Sequence, residues 1–124
     1  MPDDGGAIHF LNGEGWEPAE LYGLPEGCEY RLVHQDEAKG EVVAFCRFPP
    51  GYEEPRHEHE AEHWSVVVEG EMHVDGRVLG PGDVFNGRSR LPHGPMRYPR
   101  GAVIFTVAQG GSILHRYDSA PGEP

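Results

Sequence analysis

Glycine and proline punctuate this chain so densely that long helices are nearly excluded. Among the 18 Gly and 12 Pro, breaks fall at Gly23, Pro25-Glu26-Gly27, Gly40, Pro49-Pro50-Gly51, Gly70, Asp75-Gly76, Gly80-Pro81-Gly82, Gly87, Pro92, Gly94-Pro95, Pro99, Gly101 and Gly110-Gly111. Proline removes a helical hydrogen bond and glycine costs a helix interior about 1 kcal/mol, so few windows of helical length survive. The intervening segments are short and rich in Val, Ile, Phe and Tyr, which favours strands. They span roughly Glu29–His34, Glu41–Phe48, Trp64–Val68, Glu71–Val74, Arg77–Leu79, Asp83–Phe85, Ala102–Ala108 and Ser112–Tyr117. Asp75-Gly76 between two of them predicts a hairpin with a type I′ turn. Many short strands at regular spacing predict an all-β sandwich, jelly roll or barrel.

The chain of 124 residues fits one domain, with loose termini at 1–15 and 118–124. Ten basic against 21 acidic residues leave a net charge of −11. Such a surface repels nucleic acid and anionic membranes, so neither is an expected partner. No apolar run approaches the ~18 residues of a membrane span. The opening MPDDGGAIHF lacks the basic and apolar parts of a signal peptide, so a cytoplasmic location is expected. Cys28 and Cys46 have no motif spacing and read as packing residues.

Four of the eight histidines lie between His57 and His73. In an extended chain His57 and His59 share a face, and His63 keeps the same parity if the intervening turn preserves register. Three imidazoles on one concave face can hold a divalent metal: Zn, Cu, Fe, Ni or, less strongly, Mn. His93, alone after Pro92, is a candidate fourth ligand from a distant segment.

At these residues the chain resembles the cupin superfamily. The first cupin motif runs Gly, five residues, His-x-His, three or four residues, Glu, six residues, Gly. Gly51, His57, His59, His63 and Gly70 keep every spacing, with His63 in place of Glu. In the second motif Gly82 and His93 keep their separation, while Arg88, Arg90 and Arg97 replace its Pro, Gly and Asn. The resemblance covers about residues 40–110 and implies a double-stranded β-helix, the jelly-roll barrel, with a metal inside. It implies an all-histidine set of His57, His59, His63 and His93 around one divalent transition metal per chain. It also implies oxidative chemistry of the dioxygenase type on a small organic substrate. Imidazole in place of carboxylate raises the site charge by one unit and sharpens Lewis acidity.

Rival readings exist for the same residues. His59-Glu60-Ala61-Glu62-His63 fits the H-E-x-x-H pattern of zinc proteases, but that chemistry needs a helix and Trp64-Ser-Val-Val-Val reads as strand. Glu62 replaces His63 as ligand if a bulge reverses the parity. A metal-free barrel with a solvated His/Glu segment is the plainest alternative. Two functional alternatives stand beside the oxidoreductase: a non-redox isomerase, epimerase or lyase on a sugar or keto acid, and a non-enzymatic metal or small-molecule sensing module.

Around the histidines, the face carrying His63 should also present Ser65 and Val67. On the later strand Val103, Phe105 and Val107 form one parity set, and Ile104 and Thr106 the other; the resemblance favours Phe105 near the metal. Arg90 is a candidate for a bidentate contact to substrate, Arg88 for a surface salt bridge, and Tyr52 and Arg47 for the barrel mouth. Glu53, Glu54, Glu58, Glu60 and Glu62 either raise imidazole basicity or solubilise the segment. Apolar sheet faces left over by so small a barrel predict a homodimer.

Overall fold

Strand β3 (Glu41–Phe48) shows the rule by which the chain folds. Its residues alternate without exception, with Val42, Ala44, Cys46 and Phe48 buried and their neighbours half-buried. Each large apolar side chain taken from water contributes about 1.5–3 kcal/mol, which locks the inward face. The chain forms twelve strands in a computed structural model that describes residues 5–19, 26–109 and 115–117. No α-helix occurs among the described residues, so none is long and apolar enough to cross a membrane. The fold is the expected all-β jelly roll.

A six-stranded antiparallel sheet runs β1 (Trp16–Pro18), β2 (Glu29–Asp36), β3, β11 (Ala102–Gln109), β6 (Glu62–Gly70), β9 (Val84–Gly87). A four-stranded sheet runs β4 (Tyr52–Glu54), β10 (Met96–Tyr98), β7 (Met72–Val74), β8 (Arg77–Leu79), and β5 (His57–His59) pairs with β12 (His115–Tyr117). The predicted strands all recur, apart from Ser112–Leu114, which lie outside the described residues. Asp75 and Gly76 have φ of 52° and 74°, as a type I′ turn requires. Four three-residue strands, β1, β4, β5 and β10, go beyond the sequence reading. The segment from His59 to His63 is strand, bend and strand, which removes the helix that a zinc-protease motif needs.

The core lies between the two larger sheets, where Phe48 stacks on Tyr98 at 4.0 Å and 4°. Cys28 and Cys46 are both buried and free, in their packing role. Desolvation pushes the Cys46 thiol well above its usual range, so it stays protonated and unreactive.

One expectation is corrected here. Phe105 does not face the barrel interior. Pairing between β11 and β6 shifts register between Val103 and Ile104. Beyond that irregularity Ile104, Thr106 and Ala108 line the interior, and Phe105 packs on Phe45 at 5.0 Å on the opposite face. The N-terminal segment 5–15 forms no strand, yet Arg31 donates to the carbonyls of Phe10 and Glu14, both at 2.6 Å.

Candidate metal centre

Two histidines 36 residues apart are brought face to face by their own backbones. His57 and His93 form an isolated antiparallel bridge, exchanging N–H···O bonds of 2.9 and 2.8 Å. Both side chains are buried. His57 Nδ1 donates to the Pro55 carbonyl at 2.9 Å, and His93 Nδ1 to the Leu91 carbonyl at 3.3 Å. A carbonyl only accepts, so each Nδ1 carries a proton. Those two Nε2 atoms stand 3.1 Å apart. Backbone carbonyls that fix the tautomer in this way are the usual support of metal-binding imidazoles.

His63 is buried on β6, its ring centroid 5.2 Å from that of His93. Ser65 and Val67 follow it on the buried face. Opposite His63 in the β6–β9 register stands Gly87, pressed so closely on the imidazole that a Cβ there would lie 1.9 Å from ring carbon Cε1. Glu62 points the other way: it is exposed and accepts from Asn86 Nδ2 at 3.2 Å. His59 lies on β5, and its side chain is outside the described residues.

Sequence reasoning did not separate Glu54 from its neighbouring glutamates. Its carboxylate is buried, lines the same interior, and brings Oε2 to 3.6 Å from His57 Nε2. Among five similar glutamates, the cue is parity: Glu54 pairs with buried Met96, whereas Glu53 pairs with exposed Arg97.

The interior is a cavity of about 70 Å³, room for several waters or a compact organic molecule. Its wall is mostly apolar, with Leu32, Val42, Met72, Met96 and Ile104 lining it alongside Glu54, His57 and His63. Neutral polar groups interrupt it: Ser65 Oγ and Thr106 Oγ1, hydrogen-bonded at 3.1 Å, and Gln35. Burial, and then the nearby Glu54 charge, push the Tyr98 phenol upward, so it remains a neutral wall residue.

Two further expectations need correction. Arg90 does not reach the cavity; it is exposed in a turn with φ of 58°, a left-handed conformation that explains why glycine suits this position. Tyr52 does not line the cavity either. Its ring packs on Phe48 at 5.3 Å, and its hydroxyl accepts from Cys28 Sγ at 3.6 Å. Arg88 is exposed. Arg47 pairs with Glu29 at 2.9 Å and lies over the Trp16 ring, away from the cavity.

Among the described residues no three His, Cys, Asp or Glu side chains already stand at the mutual spacing of a metal site. The central pair nonetheless fits one. Nitrogens about 2.1 Å from one ion lie about 3.0 Å apart at octahedral cis positions and about 3.4 Å apart in a tetrahedron. The observed 3.1 Å falls between.

A family model described as the ChrR Cupin-like domain matches residues 16–112. No curated protein matches the chain. Solved structures share its fold. An acetylacetone dioxygenase from Acinetobacter johnsonii is 15% identical with a TM-score of 0.72, over 99% of this chain and 86% of that one. An RmlC-like cupin from Shewanella frigidimarina NCIMB 400 is 29% identical with a TM-score of 0.64, over 83% and 91%. Rhodobacter sphaeroides SigE in complex with the anti-sigma ChrR is 16% identical with a TM-score of 0.63, over 81% and 52%.

Proposed function

This chain belongs to the ChrR cupin-like family, and from that premise we propose that it is a metal-dependent cupin oxidising a small, neutral organic molecule in dioxygenase fashion. The observation that supports the metal is the pair of buried imidazoles whose Nε2 atoms converge at 3.1 Å, with both Nδ1 atoms donating to backbone carbonyls. His57, His59, His63 and His93 would hold the ion. When bound, a redox-active divalent metal supplies Lewis acidity and electron-transfer capacity.

The wall supports the substrate class. No Lys or Arg lines the cavity among the described residues, and the Glu54 carboxylate faces into it. A keto acid would find no fixed positive side chain there, which weighs against the keto-acid form of the isomerase, epimerase or lyase alternative. The Ser65–Thr106 hydroxyl pair offers a hydrogen bond to a carbonyl or hydroxyl oxygen. The apolar residues around it desolvate the rest of a compact substrate and exclude water.

Metal analysis and an oxygen electrode test this reading, with acetylacetone as neutral probe and pyruvate as anionic probe. The expected result is about one Fe, Mn, Ni, Cu or Zn per chain and oxygen uptake with the neutral dicarbonyl. A folded protein that takes up none of these metals overturns it. A second reading, a metal-containing sensing module, is favoured by the family description and by the likeness to ChrR. A metal-loaded protein that consumes no oxygen with either probe would select that reading.

A further inference from the structure

We propose that two copies of this chain join through the outer face of the six-stranded sheet, together with segment 5–15. The register lays one cross-strand row over that face: Phe45 opposite Phe105, Phe105 opposite Val66, and Val66 opposite Val84. A second row beside it runs Val43, Val107, Trp64. Residues directly opposite share a face, and so do residues two apart in one strand, so both rows point away from the core. Trp64 is 48% exposed and Val84 52%. Across β3, β11, β6 and β9 neither row carries a charged side chain.

Charge selects the occupant. The chain carries a net −11, so two copies repel over most of their surface. They meet with least repulsion on a face without charge, and an isologous contact needs only that this face match itself. A strongly acidic or basic partner would find no complementary charge on it. Area then brings in segment 5–15. The four long strands β2, β3, β11 and β6 cover about 19 by 27 Å, roughly 500 Å². A standard interface takes ~800 Å² from each partner. Ile8 and Phe10 are 80% and 71% exposed and together offer roughly 300 Å² more.

The segment sits at one end of the first row. Trp16 stands opposite Arg31, and Arg31 opposite Phe45. Arg31 donates to the Phe10 and Glu14 carbonyls, which fixes the segment beside β1 and β2. Trp16 packs on Phe45, with ring centroids 6.5 Å apart. The segment carrying Ile8 and Phe10 is therefore held toward the β1 edge of the sheet, while Trp64 and Val84 lie toward the β9 edge. A two-fold axis parallel to the strands lays the β1 edge of each copy over the β9 edge of the other. Ile8 and Phe10 then cover the partner's Trp64 and the partner's Val84, and the two contacts are equal by symmetry.

Sedimentation equilibrium of the full chain over a range of concentrations tests the assignment. The wild type should be a dimer, and a folded wild type that stays monomeric up to ~100 μM overturns the proposal. Trp64→Glu sets a charge within the joined faces and should raise the dimer dissociation constant at least ~30-fold, the effect of losing an interface anchor. Phe10→Glu should raise it about tenfold. Trp64 and Phe10 are exposed, so neither change disturbs the core. A dimer that W64E leaves within twofold of wild type overturns the proposal. One that F10E leaves within twofold overturns the part given to segment 5–15. If W64E does not fold, Val84→Glu carries the same readout, and an unaltered dimer there also overturns the proposal.

Discussion

Replacing Gly87 by Ala is a narrow probe of His63, because the glycine touches the imidazole and has no left-handed φ of its own to lose. A Cβ at 87 would lie 1.9 Å from Cε1 and 2.5 Å from Nδ1 of His63. Ordinary carbon contacts start near 3.5 Å, so the ring must retreat by about 1.6 Å. Metal–ligand distances tolerate only about 0.2 Å, so a ring displaced that far no longer ligates. Retreat is itself obstructed, since Phe85 and His93 flank the ring at 6.1 and 5.2 Å, and the His63–Gly87 register holds the backbone. Overpacking of this kind costs about 1–3 kcal/mol, partly offset by about 0.4–1 kcal/mol of lost freedom in the unfolded chain. G87A is therefore expected to be about 1–2 kcal/mol less stable in urea and at least tenfold weaker for Zn²⁺ by chelator competition. Gly80→Ala, at a position with open space around it, should leave Zn²⁺ affinity unchanged and stability no lower than wild type. If G87A loses stability but binds Zn²⁺ within twofold of wild type, His63 is not part of the site.

Other changes test other parts of the account. Arg90→Gly relieves a left-handed backbone and should stabilise the protein by about 0.5–1 kcal/mol in urea with metal content unchanged; a loss of substrate affinity would return Arg90 to the site. Cys46 and Tyr98 have folded-state pKa values above their ordinary ones, so their contribution is complete below pH ~8.5 and is lost as pH rises. Urea midpoints should therefore fall above pH ~9 by roughly 1 kcal/mol per unit for the thiol, and Cys46→Ala should flatten that first limb; an unaltered slope would contradict it. Ser65→Ala removes half of the hydroxyl pair and should raise the KM for a neutral dicarbonyl about tenfold, equivalent to about 1 kcal/mol, with kcat little changed; an unaltered KM removes the pair from substrate binding.

Much of the architecture was legible because it rests on local rules. Glycine and proline mark strand ends, and alternation in Glu41–Phe48 identifies the buried face directly. β11 was harder: both of its parity sets are largely apolar, as befits a strand flanked on both sides, so pattern alone did not separate Phe105 from Ile104. The three-residue strands β4, β5 and β10 are too short to alternate visibly, and they exist because their neighbours supply hydrogen bonds. Their pairing is what distinguishes Glu54 from four other glutamates in the same acidic stretch. Arg90 looked like a ligand-binding residue because a guanidinium suggests chemistry, whereas the position is governed by backbone φ.

The central claim is that one ion joins His57 and His93 inside the barrel. A crystal structure of the metal-loaded protein, with anomalous scattering collected at the edge of the bound metal, tests it most directly. The account predicts a single anomalous peak within about 2.0–2.3 Å of both Nε2 atoms. A metal-replete crystal whose peaks all lie elsewhere, with the two rings sharing only a proton, would contradict it.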